Sequence, residues 1–270
     1  IIGGGIAGVS AAAMLGAARR VVLLERESML AAHTTGRSAA VFTETYGNAT
    51  VRKLTAESRP FYEHPPEGFA DRPLLHHRPS LMVAREEEAG LIDTFVSENP
   101  AFASPIAMKD VYAHVPILRE SVFARAAVEP NSADIDVHGL FEGYRRMAVR
   151  NGVEFVTNAE VQSLGKDGGD WIVTASGERY AAPVAVNAAG AWAGAIGELA
   201  GLGNRGLQPM RRTAIMIDAP QGTDVSSWWF LNEAAERFYF KPDAGQILAS
   251  LADETPSDPC DAQPEEIDVA

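Results

Sequence analysis

The chain has a single cysteine, Cys260, which excludes an internal disulfide and any Cys-x-x-Cys redox or metal pair. Basic residues are scarce as well: 23 Lys and Arg stand against 36 Asp and Glu, a net charge of −13. That balance argues against nucleic acid or an anionic membrane as a partner. No apolar run reaches the ~20 residues of a membrane span. The least polar stretch, 181–196, is interrupted by Pro183, Asn187, Gly190 and Gly194. The histidines, His76-His77 included, show no metal-ligand spacing, so no metal is expected. There is no internal repeat and no low-complexity tract. With no secretory pattern visible, a cytoplasmic location is expected, with at most a loose membrane association.

What is present is ordinary globular composition, 46% apolar and 22% charged, over 270 residues. That length builds one large domain or two modest ones. The informative stretch comes first: Gly3-Gly4-Gly5-Ile6-Ala7-Gly8, followed by the apolar run Val21 to Leu24 and then Glu25. A strand entering a tight turn needs glycine at Gly3, and Gly5 lets backbone approach a pyrophosphate. Gly8 lets the next helix pack close, with its first N–H groups facing the phosphate charge. The spacing predicts a helix from Ile6 to about Ala18. Glu25 falls 22 residues after Gly3, near the ~20 expected for a carboxylate that binds an adenosine ribose. An acid there favours a free 2′-hydroxyl, hence FAD or NAD over NADP.

Along the chain, Ser38 or Thr35 is placed to cap a helix through Thr43, and Val51 to Tyr62 has helical spacing ending before Pro65-Pro66. Leu74 to Ala84 reads as a strand, Glu86 to Glu98 as an amphipathic helix, and Val122 to Val128 as a strand. Asp134-Ile135-Asp136 caps a helix that buries Val137, Leu140, Phe141, Tyr144 and Ala148 and stops at Asn151-Gly152. The short strand 153–156 follows. Three β segments then form a meander, turning at 166–169 and at Ser176-Gly177. Ala185 to Trp192 is a last strand entering a glycine turn and a helix to Leu199. Thr213 to Ile217, Phe238 to Phe240 and Ile247 to Ser250 return to β pattern, and Trp228-Trp229-Phe230 reads as a hydrophobic loop. Only Ile1 and Ile2 precede the fingerprint, and a helix start at Pro264-Glu265-Glu266-Ile267 closes the sequence. The expectation is therefore that the chain is part of a longer polypeptide.

The dinucleotide half is thus interrupted near residue 60 and resumes near Val137. This predicts an α/β fold: a Rossmann-like FAD-binding domain with a β-meander, residues 1–60 and 137–204. The remainder, residues 61–136 and 205–270, forms an inserted mixed α+β substrate domain. Ile1 to Glu25, His33 to Ala40, Asn187 to Trp192, Gly206 to Arg212 and Phe238 to Gly245 together resemble the D-amino acid oxidase superfamily of FAD enzymes. Within it, the chain is most similar to the bacterial FAD-dependent D-arginine dehydrogenases.

The resemblance implies non-covalent FAD. Gly3, Gly5, Ile6, Ala7 and Gly8 would cradle its pyrophosphate, with Glu25 on the ribose and Arg26 near the adenine. Arg37, Ser38, Ala39 and Ala40 match a second FAD loop. Val161, Ala189, Gly190 and Trp192 match positions along the cofactor. On the substrate side it implies Arg212 for the carboxylate and Tyr239 as its hydrogen-bond donor, with Tyr46 and Thr43 near the amine and the flavin edge. Neighbouring strand residues point to opposite faces, so at most one of Arg211 and Arg212 faces a pocket. An arginine there suits a carboxylate through charge-assisted, bidentate pairing. The sequence departs from the D-arginine group at Ser80, where that group has a glutamate, and at Val41, where it has a histidine. A serine cannot neutralise a cationic side chain, so a neutral or apolar substrate is expected.

The implied chemistry is oxidative deamination of a D-amino acid: hydride leaves Cα for the flavin N5, and the imine hydrolyses to a 2-oxo acid and ammonia. A quinone or dioxygen would accept the electrons. Two alternatives stand beside it: an oxidase of glycine- or sarcosine-type amines, and a nucleotide-binding fragment without catalysis.

Overall fold

The apolar run after the first helix forms strand Val22–Leu24, which pairs in parallel with Glu154–Val156. These elements belong to a computed structural model that describes residues 1–263, 265 and 266. Ile2 lies beside Leu24 on one side and Asn187 on the other, both parallel. Ile2 N–H donates to Val186 O (2.9 Å), Ala188 N–H to Ile2 O (2.8 Å) and Gly3 N–H to Leu24 O (2.9 Å). Four parallel segments therefore lie side by side in the order 154–156, 22–24, 2 and 187. Parallel segments are buried on both faces, and both faces here are covered. Helices Ile6–Gly16 and Val137–Arg150 bury Val9, Ala12, Ala13, Phe141 and Ala148 against Leu23 and Val153. On the other face, Ile2 and Leu24 pack with Leu164, Val173 and Ala175 of the meander and Ile196 of helix Ala193–Leu199.

Local signals set the ends of these elements. Asp136 caps helix Val137–Arg150 by accepting the Gly139 N–H at 2.7 Å. Asn48 caps helix Ala49–Glu63 by accepting from Thr50 and Val51. The meander strands Val161–Asp167, Asp170–Ala175 and Glu178–Ala182 are antiparallel. The last two meet at Ser176 (φ 46°) and Gly177 (φ 87°), a two-residue hairpin turn with both residues left-handed.

A second, seven-stranded sheet runs in the spatial order Ala214–Ile217, Gln246–Ser250, Tyr239–Asp243, Phe230–Glu233, Ser80–Ala84, Arg125–Glu129 and Ser104–Pro105. All of its seams are antiparallel except Phe230–Glu233 against Ser80–Ala84. One face carries Leu81, Val83, Leu231 and Ile247, covered by Val111, Val115, Val225 and Trp228. Residues on the other face alternate with these and include Ser80, Glu129, Asn232, Tyr239 and Lys241. A small antiparallel sheet, Val41–Phe42, Ala133–Ile135 and Leu75–His77, joins the two large ones. Its Asp134 holds Lys241 Nζ at 2.8 Å and Arg78 Nε at 2.5 Å, and Lys241 is buried.

Several expectations are corrected. No helix runs through Thr43: a 3-10 turn, Thr34–Arg37, gives way to strand Val41–Phe42. The Ser38 hydroxyl accepts the Ala40 N–H, and Ala40 is left-handed (φ 51°), a conformation a helix cannot use. The stretch 74–84 is two strands in different sheets, broken at Arg78-Pro79, where Arg78 N–H turns away to Ser132 O. Phe230 opens a strand rather than lying in a loop, and Trp228 is buried in the core of the large sheet. Helix Met108–His114 and strand Ala133–Ile135 were not expected. The helix start expected at 264–267 falls in part outside the described residues.

Candidate functional site

A cleft of about 940 Å³ opens at the carboxyl edge of the parallel segments, the usual ligand position in such sheets. Gly3, Gly4, Gly5, Ile6 and Ala7 form its floor. The glycines there meet geometric demands. Gly3 has φ 107°, and a Cβ on it would lie 2.3 Å from Ala188 O. A Cβ on Gly8 would lie 1.9 Å from Gly3 O, so only glycine lets the helix start this close to the strand end. Ile6 N–H is taken by the Thr35 hydroxyl at 3.0 Å. The Gly5 and Ala7 amides have no protein acceptor among the described residues, and the first turn has no acid. Unpaired amides and an uncompensated helix dipole in a cleft suit a phosphate group.

Glu25 is buried in the cleft wall. One of its carboxylate oxygens accepts the Gly4 N–H at 2.6 Å and the other the Glu27 N–H at 2.8 Å. It therefore fixes the glycine turn, and each oxygen keeps a lone pair for a hydroxyl. Arg26 lies over the Trp192 ring at 4.9 Å and pairs with Glu27 at 3.2 Å. The His33 ring packs on Trp192 with centroids 4.7 Å apart. Val161, Ala189 and Gly190 complete the wall. Thr35, His33 and Glu160 are cleft residues that sequence reasoning did not assign to it, because no spacing rule links them to the glycine turn.

Arg37, Ser38, Ala39 and Ala40 lie outside the walls of this cleft. The Arg37 guanidinium is held by Asp261 at 2.6 Å and Ala262 O at 3.2 Å, and it keeps the Asp261 carboxyl below the usual range.

The substrate candidates are not brought together in one wall. Thr43 and Tyr46 line a second cavity of about 310 Å³, with Phe42, Leu54, Tyr62 and Ile135 beside them. Ser80 is buried, and its hydroxyl accepts the Asn232 side-chain amide at 3.4 Å. Tyr239 is half-buried, its ring edge-on to Phe230 with centroids 5.9 Å apart. Arg212 donates to Glu254 at 2.6 Å and to Asp253 O at 3.3 Å, so its guanidinium holds a carboxylate of this chain. Arg211 pairs with Glu265 at 2.6 Å. Behind Thr43, Glu129 is buried, and burial pushes its carboxyl above the usual range.

A glycine-floored cleft at the carboxyl edge of a parallel sheet, closed by a buried acid, defines a dinucleotide-binding protein. The chain belongs to the DAO family of FAD dependent oxidoreductases, whose model matches residues 1–270. Its cofactor is FAD, and the unpaired first-turn amides fit that group. Among solved structures it is similar to glycine oxidase from Geobacillus kaustophilus (TM-score 0.82, 21% identity, 99% of this chain and 74% of that one). It is also similar to L-proline dehydrogenase from P. horikoshii (TM-score 0.81, 18% identity, 99% of this chain and 72% of that one). Among curated proteins it is 27% identical over 269 residues to mitochondrial dimethylglycine dehydrogenase of Rattus norvegicus, covering 93% of this chain. The chain spans 31% of the length of that relative. Among the described residues no helix is long and apolar enough to cross a membrane.

Proposed function

We propose that the chain carries the FAD-binding part and much of the substrate-binding part of an enzyme that oxidises an amine of the amino acid class at its carbon–nitrogen bond. The observation that carries this reading is the FAD cleft in a DAO-family chain whose second cavity is walled by Thr43 and Tyr46. Residues 1–60 and 137–204 would hold the cofactor, and residues 61–136 and 205–270 the substrate. In support, every strand of the seven-stranded sheet comes from the second set and every parallel segment from the first.

Bound FAD supplies the two-electron oxidation by accepting a hydride from the carbon next to nitrogen. The protein supplies position and charge. Glu25 and the Gly5 and Ala7 amides hold the nucleotide, and Arg37 to Ala40 would approach it if Asp261 released Arg37. Arg212 would exchange Glu254 for the substrate carboxylate, and Tyr239 would donate to the same group. Ser80, neutral and tied to Asn232, supports a substrate without a cationic side chain. The product imine takes up water to give a carbonyl compound and the released amine.

A D-amino acid is the first substrate proposed, with dioxygen or a quinone as acceptor and a cytoplasmic location. A second reading, an oxidase of glycine- or N-methylglycine-type amines, is favoured by the likeness to glycine oxidase and dimethylglycine dehydrogenase. The test is anaerobic addition of D- and L-amino acids, glycine, sarcosine and dimethylglycine to the FAD-loaded protein. Bleaching of the flavin band by D-amino acids alone supports the first reading. Bleaching by the N-methylated amines alone supports the second. A flavin band that none of them bleaches removes both and leaves a nucleotide-binding fragment without catalysis.

A further inference from the structure

Glu129 ends the strand Arg125–Glu129, directly across from Ser80, with its side chain on the sheet face away from the large core. It is a buried carboxylate with no ion pair among the described residues. Arg59, in helix Ala49–Glu63, is committed elsewhere: Nε and Nη2 hold the two oxygens of Glu44 at 3.1 and 2.8 Å, and Nη1 reaches Glu63 at 3.2 Å. His77, on the neighbouring small sheet, is occupied with Pro130 O at 2.8 Å. Among the described residues, the side-chain partners of Glu129 come from the segment 43–45, the Thr43 hydroxyl among them. Glu44 N–H donates to Oε1 at 2.8 Å, and the Thr45 hydroxyl donates to Oε2 at 2.7 Å.

The carboxylate fixes the direction of the next bond. Because Thr45 gives its proton to Glu129, its oxygen is free to accept from Thr43, whose hydroxyl lies 3.1 Å away. Thr43 in turn accepts the Thr45 N–H at 3.3 Å, which leaves one lone pair on the hydroxyl of a residue that lines the 310 Å³ cavity. The row is thus polarised: Thr43, a residue of the cavity wall, keeps acceptor capacity, and a basic carboxylate stands at the buried end.

An amine can give up hydride from its α-carbon only once its nitrogen lone pair is free, and an amino acid enters as the ammonium ion. We propose that Glu129 takes the ammonium proton through the hydroxyls of Thr45 and Thr43, so that the amine becomes neutral in place. The proposal rests on the amine-oxidation reading above. One N–H bond of the ammonium breaks as Thr43 gains that proton. The Thr43 hydroxyl proton passes to Thr45, and the Thr45 proton passes to Oε2. The ammonium and carboxylate become amine and carboxylic acid, with no electron transferred. The Glu44 N–H stays on Oε1 in both states. Glu129 acts through the two hydroxyls and does not touch the substrate. Its burial raises its affinity for a proton, as a base working near neutral pH requires.

The test measures the anaerobic rate of flavin bleaching against pH in the FAD-loaded protein, for the unsubstituted chain, Glu129→Gln and Thr45→Val. Gln keeps an acceptor for Glu44 N–H and a group that bonds Thr45. Val removes only the relay hydroxyl and leaves Glu129, so it carries the test should the Gln protein fail to fold. Both variants are expected to bind FAD with an unchanged spectrum. Bleaching should be about 10²-fold slower near neutral pH and recover as the pH approaches the pKa of the free amine. Infrared difference spectra on adding substrate should gain a protonated-carboxyl band that Glu129→Gln lacks. Variants that follow the unsubstituted pH profile, with no such band, overturn the relay while leaving amine oxidation intact. An unsubstituted protein bleached by no amine overturns both.

Discussion

Replacing Gly8 by alanine tests whether the cofactor turn depends on close approach of helix to strand. The added Cβ would sit 1.9 Å from Gly3 O, whereas ordinary contact begins at 3.4 Å, so helix Ile6–Gly16 must retreat by about 1.5 Å. Retreat loosens Val9, Ala12 and Ala13 from Leu23 and Phe141. Overpacking of this kind costs about 1–3 kcal/mol. Alanine returns up to about 1 kcal/mol through its better helix propensity. A clash this close with backbone falls at the upper end of the overpacking range, about 3 kcal/mol, so the net loss is about 2 kcal/mol, a fall in Tm of about 4–8 °C. Because the first-turn amides move with the helix while Gly3 stays tied to Leu24, FAD affinity should fall too. Gly90→Ala, in helix Ala89–Glu98 where an added Cβ meets nothing within 4 Å, should leave Tm unchanged or raise it. Calorimetry and FAD titration of the two variants decide the matter. A Gly8→Ala protein that melts with the unsubstituted chain and binds FAD equally well would refute the reasoning.

Three further outcomes follow from buried charge. Glu25→Gln places an amide N–H₂ against the Gly4 or Glu27 N–H and should cost about 1–3 kcal/mol, read as weaker FAD binding in a titration. Asp134→Ala strands Lys241, leaves Arg78 only the carbonyls of Ser226 and Trp228, and should cost about 3–5 kcal/mol in urea denaturation, whereas Lys241→Met, which leaves Asp134 on Arg78, should cost less. Glu129 binds its proton more tightly folded than unfolded. Its contribution to stability is therefore complete below the ordinary carboxylate value and is lost as pH rises through the raised one. Denaturation midpoints taken from about pH 4 to about pH 8 should show that decline, and Glu129→Gln should remove it.

The features legible in the sequence were those with local causes. The glycine turn, the Asp136 cap, the end at Asn151-Gly152 and the two meander turns each rest on a few adjacent residues, and the structure has them where the spacing puts them. Non-local features were not legible. Strand Phe230–Glu233 exists because Ser80–Ala84 pairs with it, and no periodicity at 228–233 announces a partner 150 residues earlier. Nor does any local pattern announce that Arg37 pairs with Asp261, 224 residues later. The raised proton affinity of Glu129 comes from burial, with the nearby Glu44 charge adding to it and the Thr45 hydrogen bond opposing it, and its own segment reads as a plain strand end. Arg212, expected to meet a substrate carboxylate, holds the side chain of Glu254, 42 residues later, a pairing that no local pattern announces.

The one parallel seam of the seven-stranded sheet has a consequence for biosynthesis. Ser80–Ala84 and Arg125–Glu129 leave the ribosome early as one half of that sheet, while the half running from Phe230 to Ser250 is still unmade. At ordinary translation speeds the wait between Ser80 and Phe230 is about 8–30 s. During that time Leu81 and Val83, fully buried in the finished protein, lack Leu231 beside them, and the edge at 80–84 has unpaired N–H and C=O groups. The nascent chain thus passes through an interval in which chaperones or aggregation compete for one defined strand edge.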